Sequence, residues 1–91
     1  MPNTDFYNTL RERLHQTTSW PSVYMFKFIL SNDNQKMALL RKIFEQDSRF
    51  FEKTSSRGNF ISVTVKLVML DPDEVIAYYR KVAEIEGVMM L

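Results

Sequence analysis

Between Phe60 and Met69 the side chains alternate in character, with Ile61, Val63, Val65 and Leu67 at one parity and Ser62, Thr64 and Lys66 at the other. Successive side chains of a β-strand point to opposite faces, so this segment reads as a strand with one covered and one wetted face. An antiparallel sheet with helices on one side provides such an environment. Residues Val23 to Leu30 repeat the pattern more apolarly, with Tyr24, Phe26, Phe28 and Leu30 opposed to Val23, Met25, Lys27 and Ile29. Phe50 to Ser55 is a weaker strand candidate. It leads into Ser56-Arg57-Gly58-Asn59, a turn where Gly58 can take positive φ without a Cβ penalty.

Three helices are predicted around these strands. Thr4 to Gln16 places Phe6 or Tyr7, Leu10 and Leu14 at helical spacing, and Thr17 to Pro21 then breaks the pattern. Asn32 with Gln35 resembles a capping box opening a helix through about Gln46, with Met37, Leu40 and Phe44 as its buried stripe and Ile43 flanking. Asp71-Pro72-Asp73-Glu74 combines a carboxylate cap, a proline at the first helical position and acids near the positive end of the helix dipole. Val75, Ile76, Tyr79, Val82 and Ala83 form that helix's apolar stripe. Gly87 is expected to end it, and Val88 to Leu91 to make a last short strand.

The order after the first helix is strand, helix, strand, strand, helix, strand. That is the α+β ferredoxin-like arrangement, βαββαβ, in two layers with a four-stranded antiparallel sheet. Residues 1–21 are read as an N-terminal helix and connector, and 22–91 as the ferredoxin-like (ACT-like) domain. Right-handed crossovers put the first and third strands at the centre, so Lys27 and Lys66 are expected on the helix-free face. That face also gathers Val23, Met25 and Ile29 beside Ser62 and Thr64, more apolar than a solvated face requires. A cover is expected over part of it: the leading helix through Leu10 and Leu14, a second copy, or a partner protein.

Composition removes several chemistries. The 91 residues leave room for one core, and with no cysteine and one histidine, His15, there is no thiolate zinc site, disulfide framework or histidine-based triad. No metal or cofactor is expected. The net charge of +1 argues against bulk electrostatic binding of nucleic acid, although Arg49, Lys53, Arg57 and Lys66 outnumber Glu52 around the hairpin while Asp71, Asp73, Glu74, Glu84 and Glu86 make the last helix acidic. Neither a secretory leader nor a stretch of ~20 apolar residues is recognisable, and a reducing cytoplasm is the expected location.

Two stretches carry a family resemblance: Trp20-Pro21-Ser22-Val23-Tyr24-Met25-Phe26-Lys27 and Lys53-Thr54-Ser55-Ser56-Arg57-Gly58-Asn59-Phe60-Ile61-Ser62-Val63. They resemble the YbeD-like family of small bacterial proteins of unknown function. That family has an aromatic-proline step before a strand of form aromatic-x-aromatic-lysine, then a lysine-x-serine-x-x-glycine-asparagine/lysine-aromatic-x-serine hairpin. The resemblance runs from about Phe6 to Leu91 and departs in having tryptophan at the aromatic-proline step. It implies an ACT-like or ferredoxin-like fold and a regulatory role, and it brings no catalytic residues.

Two loops are candidate ligand sites. Lys53, Ser55, Ser56, Arg57, Gly58 and Asn59 offer cations, hydroxyls and backbone N–H groups that suit a phosphate or carboxylate, although turn geometry alone explains them. Ser31, Asn32, Asp33 and Asn34 occupy the place where ACT domains commonly engage an amino acid, although capping explains them too. The pair Asp71 and Asp73 is read as capping rather than as acid–base machinery.

The expectation is therefore a non-catalytic binding or regulatory module for a small metabolite or a partner protein, with a homodimer as a further arrangement. Alternatives are a nucleic-acid-binding domain of RRM-like topology, or a small enzyme working with carboxylates, tyrosines and basic groups. The RRM motif stacks bases on aromatics at its third and fifth places, and in Arg57-Gly58-Asn59-Phe60-Ile61 those places hold Asn59 and Ile61.

Overall fold

The computed structural model describes residues 4–44 and 49–91. Seven elements follow in chain order: α1 (Thr4–Thr17), β1 (Ser22–Ser31), α2 (Asn34–Ile43), β2 (Arg49–Thr54), β3 (Phe60–Met69), α3 (Pro72–Ala83) and β4 (Met89–Met90). The sheet order is β2-β3-β1-β4, with all three pairings antiparallel. The expected ferredoxin-like topology and its two central strands are thus present.

β1 and β3 are paired along their whole length, from Ser22 opposite Met69 to Ser31 opposite Phe60. This register brings Phe26, Phe28 and Leu30 onto the same face as Ile61, Val63 and Val65, and all six are buried. Their cover comes from Met37, Leu40 and Phe44 of the α2 region and from Val75, Ile76, Tyr79 and Val82 of α3. Aromatic rings fill the middle. Phe26 stacks on Phe28 at 6.1 Å and meets Tyr79 edge-on at 5.2 Å, while Phe44 stacks on Tyr78 at 4.9 Å. Burying rings of this size is the largest favourable contribution a chain this short can make to its core.

α1 adds Tyr7 and Leu14 to the same core and packs against α3. Arg11 bridges to Asp73 at 2.5 Å, the Arg80 guanidinium lies over the Tyr7 ring at 4.4 Å, and the Trp20 indole N–H donates to the Leu14 carbonyl at 3.2 Å.

Three local expectations are corrected. The cap of α2 is Asp33, whose carboxylate accepts from the backbone N–H groups of Gln35 and Lys36, so the cap lies one residue beyond Asn32 and is a simple carboxylate cap in place of the Asn32–Gln35 capping box. α2 closes at Ile43 with Phe44 as its C-cap, and the expected continuation to Gln46 lies outside the described residues. α3 ends at Ala83 with Glu84 as its cap, three residues before Gly87, which takes φ +80° in the turn toward β4. β4 itself is shorter than the expected strand over 88–91, pairing Met89 with Ile29 and Met90 with Phe28, and the Leu91 N–H donates to the Lys27 carbonyl. Asp71 caps α3 as expected, accepting from the Glu74 N–H at 2.9 Å, with Pro72 in the first turn.

Candidate functional site

The sheet has one face under the helices and one open. The pairing register orders the open face into rows that cross the strands ~7 Å apart. Arg49, Lys66 and Met25 form one row; Phe51, Thr64 and Lys27 the next; Lys53, Ser62, Ile29 and Met89 a third. Val68 beside Val23 and Phe60 beside Ser31 close the two ends. Val23 is 64% exposed, Phe51 54%, Val68 58% and Met89 59%, so the apolar members of these rows are open to water.

Its charge is one-sided. Arg49, Lys53, Lys66 and Lys27 all belong to it, and no acidic side chain among the described residues does. Glu52, the single acid of β2, has the opposite parity, sits opposite buried Val63 and pairs with Arg41 of α2. Arg49 stands directly opposite Lys66, where like charges repel, and the Lys66 ammonium lies 5.8 Å from the centre of the Phe51 ring.

The leading helix does not cover this face. Its apolar stripe is spent on α3, on the other side of the sheet, because Leu14 and Tyr7 enter the core there while Leu10 packs at its edge. Of the three covers considered from the sequence, the one within the chain is thereby overturned.

A hollow of about 470 Å³ opens on the hairpin end of the face, lined by Ile29, Ser62, Phe60, Lys53 and the Thr54–Ser56 segment. Of the candidate ligand residues named from the sequence, Lys53, Ser55 and Ser56 line it. The others come together differently, because the two candidate loops touch. The Asn32 backbone N–H donates to the Asn59 carbonyl at 2.9 Å and its side-chain amide to the Gly58 carbonyl at 2.8 Å. Ser55 accepts the Phe60 N–H on its hydroxyl at 3.1 Å, and its carbonyl accepts from the Gly58 N–H at 2.9 Å. Asp33 is committed to its cap, Ser31 pairs with Phe60, and Arg57 stands exposed at the tip. Two hydrogen bonds donated by Asn32 thus tie the two candidate loops together.

Open-face residues missed in the sequence are Arg49 and Phe51 of β2 and Met89 of β4. Their parity becomes definite only with the registers Arg49–Lys66, Phe51–Thr64 and Met89–Ile29. In the core, burial and the hydrogen bond it shares with Tyr24 at 3.0 Å push the Tyr79 phenol well above its ordinary pKa. Among the described residues no group of three or more His, Cys, Asp or Glu side chains gathers as a metal site, and no helix is long and apolar enough to cross a membrane. Ile61 is buried, which removes one of the two stacking positions an RRM needs.

Residues 15–91 match a family described as "Protein of unknown function (DUF493)", the same family as the YbeD-like proteins. No curated protein and no solved structure matches the chain.

Proposed function

Because this chain belongs to DUF493, a family of unknown function, we propose its role from geometry: a non-catalytic binding and regulatory module that docks a partner protein through the open face of its sheet. The observation that carries this reading is the uncovered face itself, where Val23, Met25, Phe51, Val68 and Met89 lie exposed among four cations. Exposed apolar side chains gathered on one uncovered sheet face fit an interaction site. Protein interfaces are enriched in aromatic side chains, methionine and arginine, represented on this face by Phe51, Met25, Met89 and Arg49.

Five of the chain's eleven acids are held in structural contacts, which fits a role without catalysis. Asp33 and Asp71 cap helices, Asp73 pairs with Arg11, Glu52 pairs with Arg41, and Glu74 accepts from the Leu70 N–H. The shallow hollow beside Lys53 accommodates one protruding side chain of a docked partner.

The test is a photo-reactive phenylalanine analogue placed at Phe51 on the open face and, separately, at Ala38 on the exposed side of α2, in cells that make the protein natively. The proposal expects one discrete adduct with another protein from position 51 and none from position 38. Equal labelling from both positions, no adduct, or an adduct only with a second copy of this chain overturns it.

A further inference from the structure

The open face carries a more specific statement about its partner, one that rests on the docking role proposed above. We propose that the occupant is an acidic segment of another protein, in which carboxylates alternate with aliphatic or aromatic side chains.

Charge complementarity is the first argument. Arg49 faces Lys66 directly across β2 and β3, Lys27 lies diagonally from Lys66 across β1 and β3, and Lys53 stands one row further along. Like charges opposed on neighbouring strands destabilise a sheet, and sheets ordinarily relieve this with interleaved acids. Among the described residues no acid on the face relieves it, and Glu52, one residue from the Phe51 position, is turned away to Arg41. Carboxylates supplied from outside remove the repulsion and gain charge-assisted hydrogen bonds.

The same pattern excludes a second copy seated face to face, since a two-fold contact sets this patch against itself and adds cation to cation. In the first turn of α3 the acids are drawn on within the chain, Asp71 and Glu74 by backbone N–H groups and Asp73 by Arg11. A nucleic acid satisfies the charge but not the rest of the surface. The centre of the platform, where successive bases stack on aromatics, holds Lys27 and Thr64, while Phe51 sits on an edge strand and Phe60 at a strand end. The aliphatic groups Val23, Val68, Met25 and Met89 have no complement on a sugar-phosphate chain. They have one on a protein segment with apolar side chains between its acids.

The experiment titrates the full chain, labelled for NMR, with three probes: a synthetic peptide repeating Glu-Glu-Leu-Phe, the same peptide with Lys for Glu, and an oligouridylate of similar length. The expected result is saturable binding of the Glu peptide, with amide shifts concentrated at Lys27, Ser62, Thr64 and Lys66. That binding should weaken by about tenfold or more in the K27E/K66E variant and on raising salt, since the attraction is between exposed charges. The milder K53Q/K66Q variant should fall between, which keeps the result readable if charge reversal disturbs the fold. Equal binding of both peptides, shifts away from the open face, no response to the Glu peptide, or tighter binding of the oligouridylate at the same residues overturns the inference. Cross-links from position 51 that persist in the K27E/K66E background refute the acidic partner and leave the docking role standing, whereas loss of cross-links from the unaltered chain removes the docking role itself.

Discussion

The side-chain amide of Asn32 donates to the carbonyl of Gly58 at 2.8 Å, joining two turns that are 26 residues apart in the chain. The turn that opens α2 and the turn that closes the β2–β3 hairpin are one unit, reinforced by the Asn32 N–H on the Asn59 carbonyl. Polar runs that look like two separate ligand sites in the sequence are here joined through Asn32.

That latch makes a ranking within one polar run. Asn32→Ala removes the bond to Gly58 and Asp33→Ala removes the α2 cap, so each should lower stability by about 0.5–1.5 kcal/mol. Asn34→Ala, at an exposed first helical position, should be neutral or slightly stabilising because alanine is the better helix former. Urea midpoints of the three variants decide it; Asn34 as the costliest of the three would show the latch to be misassigned.

Gly58 has φ +77°, and a Cβ built there meets nothing within 4 Å. The cost of a side chain is therefore conformational and not steric. Gly58→Val should destabilise by roughly 1–2 kcal/mol, whereas Gly58→Asn, which tolerates the left-handed region, should cost much less. Equal melting temperatures for the two variants would contradict the backbone assignment.

How much of this was legible in the sequence follows the range of the signals. Periodicity located β1, β3 and the stripes of all three helices, because Phe26, Val63, Val65, Leu40 and Val82 each report their own burial locally. The Asp71–Pro72 cap was legible for the same reason. The choice of Asp33 over Asn32 as cap was not, since both residue types cap well and the contact that claims Asn32 comes from Gly58, far along the chain. Gly87 looked like the end of α3, but Ile85 is buried and Glu84 already closes the helix. The open face was half visible: Lys27, Lys66 and Val23 could be placed by parity, while Arg49 and Phe51 waited on the β2–β3 register, which the weak pattern of Phe50 to Ser55 does not specify. Where α1 packs was not legible, because an apolar stripe states that a helix is covered and not by what.

The two sides of β3 should separate cleanly by mutation. Val65 is 0% exposed beneath the helices, and Val65→Ala should cost on the order of 1–3 kcal/mol through lost burial and a residual cavity. Thr64, its neighbour, belongs to the open face, and Thr64→Ala should change stability by no more than about 0.5 kcal/mol. Chemical denaturation of both variants measures the contrast, and a reversed order would mean that the open and covered faces had been exchanged.

Tyr79 links the core to alkaline stability. Its ring packs against Phe26, Phe28 and Tyr24, and its hydroxyl shares a 3.0 Å hydrogen bond with the Tyr24 hydroxyl, so the phenolate is disfavoured chiefly by burial and secondarily by that bond and by Tyr24's charge. In the unfolded chain the same phenol ionises near its ordinary pKa of about 10. Above that pH the unfolded state has lost a proton that the folded state retains, so the native state binds more protons and stability must fall as pH rises. Below pH ~10 the contribution is fully present. The slope approaches about 1.4 kcal/mol per pH unit for this one group. Tyr79→Phe keeps the packing and removes the titration. At pH near 8 it should be modestly less stable than the unaltered protein, by up to about 1 kcal/mol for the lost hydrogen bond. Between roughly pH 10 and 11.5 the difference should close and then reverse, because only the unaltered chain gains an ionised Tyr79 on unfolding. Urea midpoints measured for both proteins across that range test it, with the other tyrosines and lysines common to the pair; two curves that stay parallel from neutral to alkaline pH would show that the Tyr79 phenol is not held protonated by the core.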